Sequence, residues 1–279
     1  MTLKMAEMGM PIDLILFCET GLDFPVIERI LDKLEKTVGI PVTRIKADES
    51  FEYLFKDHPL KRGRSEKFIR NYGNHPNGYG WPGPKARWCT ERLKNQPRER
   101  YLRELRKKYR VIQYVGIAAD ETYRLERKNN QREDVFYPLV EWGMTEADCL
   151  LYCYDRGFDW EGLYNYFSRV SCWCCPLQSL KDLKQLYHHF PEQWEQLKAW
   201  DTMTWRKYRA DYSVLELEAR FDFEDMWEAE GKKPRTRAFY REMEKYIRKF
   251  TSLRKPLFLL PFRRNPCRFA PIDFRTIFY

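Results

Sequence analysis

Apolar and polar positions follow two rhythms along this chain. IDLILF (12–17) is a short apolar run between Pro11 and a polar loop, and it reads as a buried strand. After the loop CETGLDFP the interval lengthens. Ile27, Ile30, Leu31 and Leu34 recur three and four residues apart and share one face of a helix that ends at Gly39. Asp23 is placed to cap that helix, with Pro25 in its first turn. PVTRIKA (41–47) is a second strand. Strand, helix and strand in that order predict a parallel pair, because the helix carries the chain back to its starting edge. Helix resumes in TERLKNQPRERYLRELRKKY, with Pro97 opening a second segment, and VIQYVGIA (111–118) is a third strand. MTEADCLLYCYDRG (144–157) carries a capping signal, Thr145 with Asp148 three residues on, and Gly157 as a stop. From 177 the pattern is helical, over 177–190, 191–209, 214–230 and 235–250.

Two stretches break both rhythms. Residues 57–88 hold four prolines, with four glycines after Tyr72. Such a run inside a domain reads as a lid or binding loop, or else as disorder. Residues 251–279 place prolines at 256, 261, 266 and 271 with no regular period, and read as a tail outside the packed domain. The expected organisation is an α/β region over 1–176, a helical region over 177–250 and that tail.

Composition then narrows the picture. The 279 residues carry a formal charge of +9, of which the tail supplies +5 from six Arg/Lys against one Asp. The rest is mildly basic, so a polyanionic partner such as a nucleotide or nucleic acid is open. No apolar run is long enough to span a bilayer, so no membrane partner is expected. The N-terminal stretch lacks the pattern of a secretory signal, so a cytoplasmic setting is expected, where thiols stay reduced. Composition leaves a homo-oligomer open.

Eight cysteines in a reducing compartment favour metal, cluster or catalytic use for some and plain burial for the rest. RVSCWCCP gathers three of them. Cys172 and Cys175 have C-x-x-C spacing, Cys174 lies between, and Cys89 stands upstream in RWCTERLK. An iron–sulfur cluster, a tetrahedral zinc and a packed small-residue turn all remain open. Cys149 and Cys153, four apart on a helix, and Cys18, ending a strand, read as core. His188–His189 read as helix surface.

FCETGLDFP, RWCTERLKNQP, GIAADETYR, YPLVEWGMTEAD and RVSCWCCP, in that order, resemble blocks of the phosphoadenylyl-sulfate reductase family of adenine nucleotide α-hydrolases. The nearest likeness is to its phage- and prophage-type iron–sulfur members, over roughly 1–250. The resemblance implies a doubly wound, mostly parallel sheet with a nucleotide at the strands' carboxyl ends. It implies sulfur transfer or reduction with ATP or adenylyl sulfate as ligand. It implies a 4Fe–4S cluster on Cys89, Cys172 and Cys175, with Trp88 where the family has another cysteine. Cys174 is a fourth candidate; a cluster with one open iron is the alternative.

The same resemblance puts Glu19, Thr20 and Gly21 at an adenosine pocket and Lys94 beside the nucleotide or sulfur donor. Asp120 and Glu121 become a candidate acid/base or metal pair. Arg124 becomes a candidate clamp for phosphate or sulfate, since its guanidinium presents a planar fork of donors. The family's S-G-G-K-D-S phosphate loop is not in this sequence, nor is its C-terminal nucleophilic cysteine motif. A truncated product or a mis-assigned start is expected, with weak affinity for ATP. The 61–87 stretch interleaves Lys61, Arg62, Arg64, Lys67, Arg70, Lys85 and Arg87 with Tyr72, Tyr79 and Trp81, which suits a nucleotide lid or a nucleic-acid groove. A second reading is therefore a nucleic-acid thiolating component similar to DNA phosphorothioation enzymes. A third is an inactive remnant.

Overall fold

The computed structural model describes residues 1–60, 65–66, 69–70, 77–126 and 132–254. They form a mixed helix and sheet architecture in two compact units, Met1–Glu218 and a second beginning at Ala219. The residues from the cysteine turn through Glu218 belong to the first unit, and Arg237–Leu253 to the second.

In the first unit a short helix α1 (Thr2–Glu7) precedes β1 (Ile15–Glu19), α2 (Val26–Val38) and β2 (Val42–Lys46). β1 and β2 are parallel, from Ile15 opposite Val42 to Glu19 opposite Lys46, so α2 is the expected crossover. Gly39 closes α2 at φ 72°, a left-handed conformation that costs glycine nothing. Two details differ from expectation. β1 begins at Ile15 and takes in Cys18 and Glu19, and all five of its residues are half-buried. Asp23 does not cap α2. Pro25 holds the N-cap position at helical φ/ψ, and the Asp23 carboxylate accepts the Thr20 hydroxyl at 2.9 Å instead.

Residues 53–57 form a π-type turn, and a single turn Trp88–Thr90 runs through a second one, Glu91–Asn95, into α3 (Gln96–Arg106). A π-type turn leaves carbonyls free of the ordinary helical ladder. Two of them, and that of the following His58, are taken by the returning chain: Gly78, Tyr79 and Gly80 N–H donate to the carbonyls of His58, Leu54 and Phe55 at 2.8–3.0 Å. This close approach needs Gly78, whose missing Cβ would stand 2.3 Å from the Phe55 oxygen. Trp81 is fully buried and donates its indole N–H to Asp201 at 2.9 Å. The end of the stretch read as a lid or binding loop is therefore partly core, while Lys85 and Arg87 are exposed. Lys61, Arg62, Arg64, Lys67 and Tyr72 lie outside the described residues.

The third strand shrinks to β3 (Gln113–Tyr114), parallel to β4 (Val135–Phe136). A β-prone sequence stays a strand only where a partner accepts its ladder, and β4 offers two residues. Among the described residues the sheet is thus two separate parallel pairs, β1–β2 and β3–β4. Helices follow: α4 (Pro138–Glu141), α5 (Glu146–Tyr154), α6 (Leu163–Tyr166), α7 (Leu180–His189) and α8 (Pro191–Thr202). The Thr145–Asp148 capping box is present in full. The helix expected over 191–209 stops at Thr202, because Tyr208 and Arg209 turn back onto the cysteine segment.

α9 (Val214–Ala229) carries the chain into the second unit, which ends with α10 (Arg237–Leu253). Within it Phe223 packs its ring against Trp227, Phe239 and Tyr246, at centroid distances of 5.3, 5.5 and 5.7 Å. Residues 251–253 complete α10, so the tail begins later than the composition suggested; 255–279, with Cys267, lie outside the described residues. Among the described residues no helix is long and apolar enough to cross a membrane.

Candidate functional site

The turn after Val170 is built by its hydrogen bonds. Upstream, the Asp182 carboxylate, 4% exposed, accepts the Ser168 N–H at 2.9 Å and the Ser168 and Ser179 hydroxyls at 2.8 Å. Trp173 N–H donates to the Leu22 carbonyl at 3.1 Å, fastening the turn to the loop that leaves β1. Cys175 N–H closes on the Cys172 carbonyl at 3.1 Å, and Gln178 donates its side-chain amide to the carbonyls of Cys172 and Trp173 at 3.0 and 2.9 Å. Tyr208 O–H reaches the Cys174 carbonyl at 3.4 Å, and Arg209 donates to the carbonyls of Pro176 and Gln178 at 3.0 and 2.9 Å. Trp173 stacks on Trp200 with centroids 5.3 Å apart. The carbonyls of 172–176 and of 178 are all engaged, which fixes where the thiols stand.

Two distant segments meet there. Cys174 lies in the electrostatic field of Cys172, Cys175 and Cys89, and Cys89 in that of Cys175. Cys172 Sγ is 3.9 Å from Thr20 Oγ1, at the carboxyl end of β1. Lys94 acts on Cys18, Cys89 and Cys172, and Arg98, one helical turn further, acts on Cys18. Cys18 donates its thiol to the Lys94 carbonyl at 3.6 Å. Burial dominates the titration of these thiols. It pushes Cys172 up to about 11, Cys174 well above the usual thiol range, and Cys18 and Cys89 upward, while the Lys94 ammonium pulls Cys18, Cys89 and Cys172 the other way.

Thr20 and Lys94 are thus brought to the thiols. Glu19 pairs with Lys46 at 2.7 Å across the sheet. Gly21, at φ 73°, makes the turn that lets Thr20 accept the Leu22 N–H. The Asp120–Arg124 group takes local roles. Asp120 accepts the first N–H of α5, from Glu146, at 3.1 Å, and Glu121 pairs with Arg124 at 2.6 Å. Cys149 and Cys153 are half-buried rather than fully inside, and so is Cys18. His188 and His189 are exposed, as expected. Sequence reasoning missed Arg98, Gln178, Tyr208 and Arg209. Arg98 was signalled by its four-residue spacing from Lys94; the others act through carbonyls, which no motif records.

As donors, the cysteines suit a soft, thiophilic metal. Binding one would release protons from thiols that burial keeps neutral, so metal and proton compete. Among the described residues no group of three or more His, Cys, Asp or Glu side chains is arranged to hold a metal ion, so the set fits in chemistry while standing as packed thiols.

No family model and no solved structure matches the chain. Two uncharacterized proteins of Methanocaldococcus jannaschii are similar to it. MJ0066 is 22% identical over 224 residues, covering 77% of this chain and 40% of that protein. MJ0973 is 22% identical over 193 residues, covering 64% and 39%. The chain spans about two fifths of the length of these curated relatives.

Proposed function

We propose that this chain is a phosphoadenylyl-sulfate-reductase-like protein that handles sulfur at the Cys89 and Cys172–Cys175 site, with an adenine nucleotide or adenylated sulfate as ligand. The observation that carries the reading is that Cys89 stands within electrostatic reach of Cys174 and Cys175, from a segment over eighty residues away, near Lys94 at the carboxyl end of a parallel strand. In parallel α/β sheets that end of the strands is where ligands bind. The β1–α2–β2 crossover and the parallel pair β3–β4 support a doubly wound sheet.

Cys89, Cys172 and Cys175, with Cys174 as the fourth candidate, would hold a 4Fe–4S cluster, which would supply one-electron redox capacity and iron that binds sulfur; zinc is the alternative metal. The chain's own contribution is electrostatic and positional. Lys94 and Arg98 set positive charge beside the thiols, which favours an anionic sulfur species and offsets the charge of thiolates. Thr20 holds a hydroxyl at Cys172, and the filled carbonyls of 172–176 and 178 keep the turn from rearranging.

Anaerobic purification followed by a visible spectrum and iron, sulfide and zinc analysis tests the reading. The expected result is a broad absorption with about four iron and four sulfide per chain, lost in Cys172→Ser and Cys175→Ser variants that melt like the wild type. A colourless protein with one zinc makes the turn structural. A colourless, metal-free protein with unreactive thiols overturns the proposal.

A further inference from the structure

Away from the thiols, α3 flanks an open groove of about 670 Å³ lined by Ile45, Pro97, Tyr101, Leu105 and Tyr109 and by the cations Arg100, Lys107 and Lys108. Its floor is apolar and aromatic and its rim is basic. The two carboxylates near it are neutralised. Glu104 is held by Lys107 at 2.6 Å, and Asp48 is bonded by both nitrogens of the Arg100 fork. Among the described residues, Arg103, one turn before Lys107, and Lys108 and Arg110 have no carboxylate partner, and all three are exposed. Tyr109 is 65% exposed although it follows an apolar helix face. Lys108 lines the groove beside Tyr101 and Tyr109, and Arg103 and Arg110 lie within five residues of it along the chain; cations and rings so placed match a polymer that alternates phosphate with flat bases, since cations track a phosphate backbone while rings stack bases. An acidic peptide would use the cations and leave the rings idle.

The position of the groove matters as much as its chemistry. It runs along α3 to Pro97, and two residues before α3 stands Lys94, whose carbonyl accepts the Cys18 thiol at 3.6 Å and whose ammonium acts on Cys18, Cys89 and Cys172. A helix of this length spans about 16 Å. We propose that the α3 groove binds single-stranded nucleic acid and leads it toward the thiol site. Binding in the groove does not rest on the sulfur reading above.

The test is fluorescence anisotropy on the full chain, with end-labelled single-stranded RNA and DNA of about 20 nucleotides, between about 50 and 200 mM salt. Arg103→Ala/Lys108→Ala/Arg110→Ala is expected to weaken binding at least about tenfold. It should also flatten the slope of log affinity against log salt by about 2, since each lost phosphate contact removes about 0.7. Tyr109→Ala is expected to weaken binding about five- to tenfold with the slope unchanged, the signature of lost stacking. Lys233→Ala/Arg237→Ala/Lys249→Ala removes the same charge from the second unit and should leave affinity and slope alone. Whichever of RNA and DNA binds tighter identifies the natural strand. No binding by the wild type, equal losses in the two triple variants, or equal competition by polyglutamate would overturn the groove. Cys172→Ser/Cys175→Ser should bind as the wild type does, so a failure of the sulfur reading leaves this result standing, and a failure of this one leaves the metal analysis untouched.

Discussion

Asp182 ties the cysteine turn to α7, and removing it should loosen both. Its carboxylate takes three donors, the Ser168 N–H and the hydroxyls of Ser168 and Ser179, at 2.8–2.9 Å, while 4% exposed. A bond to a charged acceptor contributes about 1.5 kcal/mol at the low end, so three give about 4.5 kcal/mol. Relief of the buried charge in Asp182→Ala returns about 1.5 kcal/mol, leaving a net loss of about 3 kcal/mol. For a unit of this size each kcal/mol moves the midpoint about 2–4 °C, so the melt should fall by about 6–12 °C. Asp182→Asn keeps an oxygen for the Ser168 N–H and should lose only about 1 kcal/mol. Because Ser168 lies four residues before Cys172, alkylation of the cysteine turn should quicken in the same order, alanine before asparagine before wild type. Thermal melts and timed alkylation read both effects. If Asp182→Ala melts within about 0.5 kcal/mol of wild type, or asparagine costs as much as alanine, then the carboxylate is not the clasp described here.

Three further outcomes follow from local geometry. Thr145→Ala removes half of the capping box on α5 and should cost about 1 kcal/mol by urea melt, with Thr145→Ser near neutral. Gly78→Ala forces a Cβ against the Phe55 carbonyl at φ 74° and should cost more than about 3 kcal/mol or prevent folding, whereas alanine at the open Gly231, φ 65°, should cost only about 1 kcal/mol of backbone strain. The Arg156 guanidinium and the Tyr152 hydroxyl hold the Glu7 carboxyl down at about 2, from 4.5. A depressed carboxyl stabilises above its unfolded pKa, so that contribution should fade as pH drops from about 4.5 toward 2. Glu7→Gln should flatten this limb of the melting profile, and high salt should shrink the effect, because the pair is exposed.

Much of the α/β layout was legible because periodicity speaks directly. The run around Leu16, the stripe of Ile27, Ile30, Leu31 and Leu34, and the Thr145–Asp148 signal each reappear as an element, with ends shifted by a few residues. What was hidden depends on partners far along the chain. The strand at 111–118 keeps two residues because β4 offers no more. Trp81, in a Gly/Pro-rich stretch, is core because Asp201 lies opposite its indole. At the site, spacing singled out Cys172 and Cys175, and the resemblance singled out Cys89 and Lys94. The support from Gln178, Tyr208 and Arg209 passes through main-chain carbonyls and leaves no sequence mark. The uncompensated charge of Arg103, Lys108 and Arg110 emerges only after neighbouring cations have found their carboxylates.

The clamp between the π-type turn at 53–57 and residues 78–80 has an evolutionary consequence. Its bonds, with the bridge from Pro59 to Asn77, pin both ends of the intervening segment to the core. Gly78, Gly80 and Trp81, immediately downstream, should tolerate neither shift nor substitution.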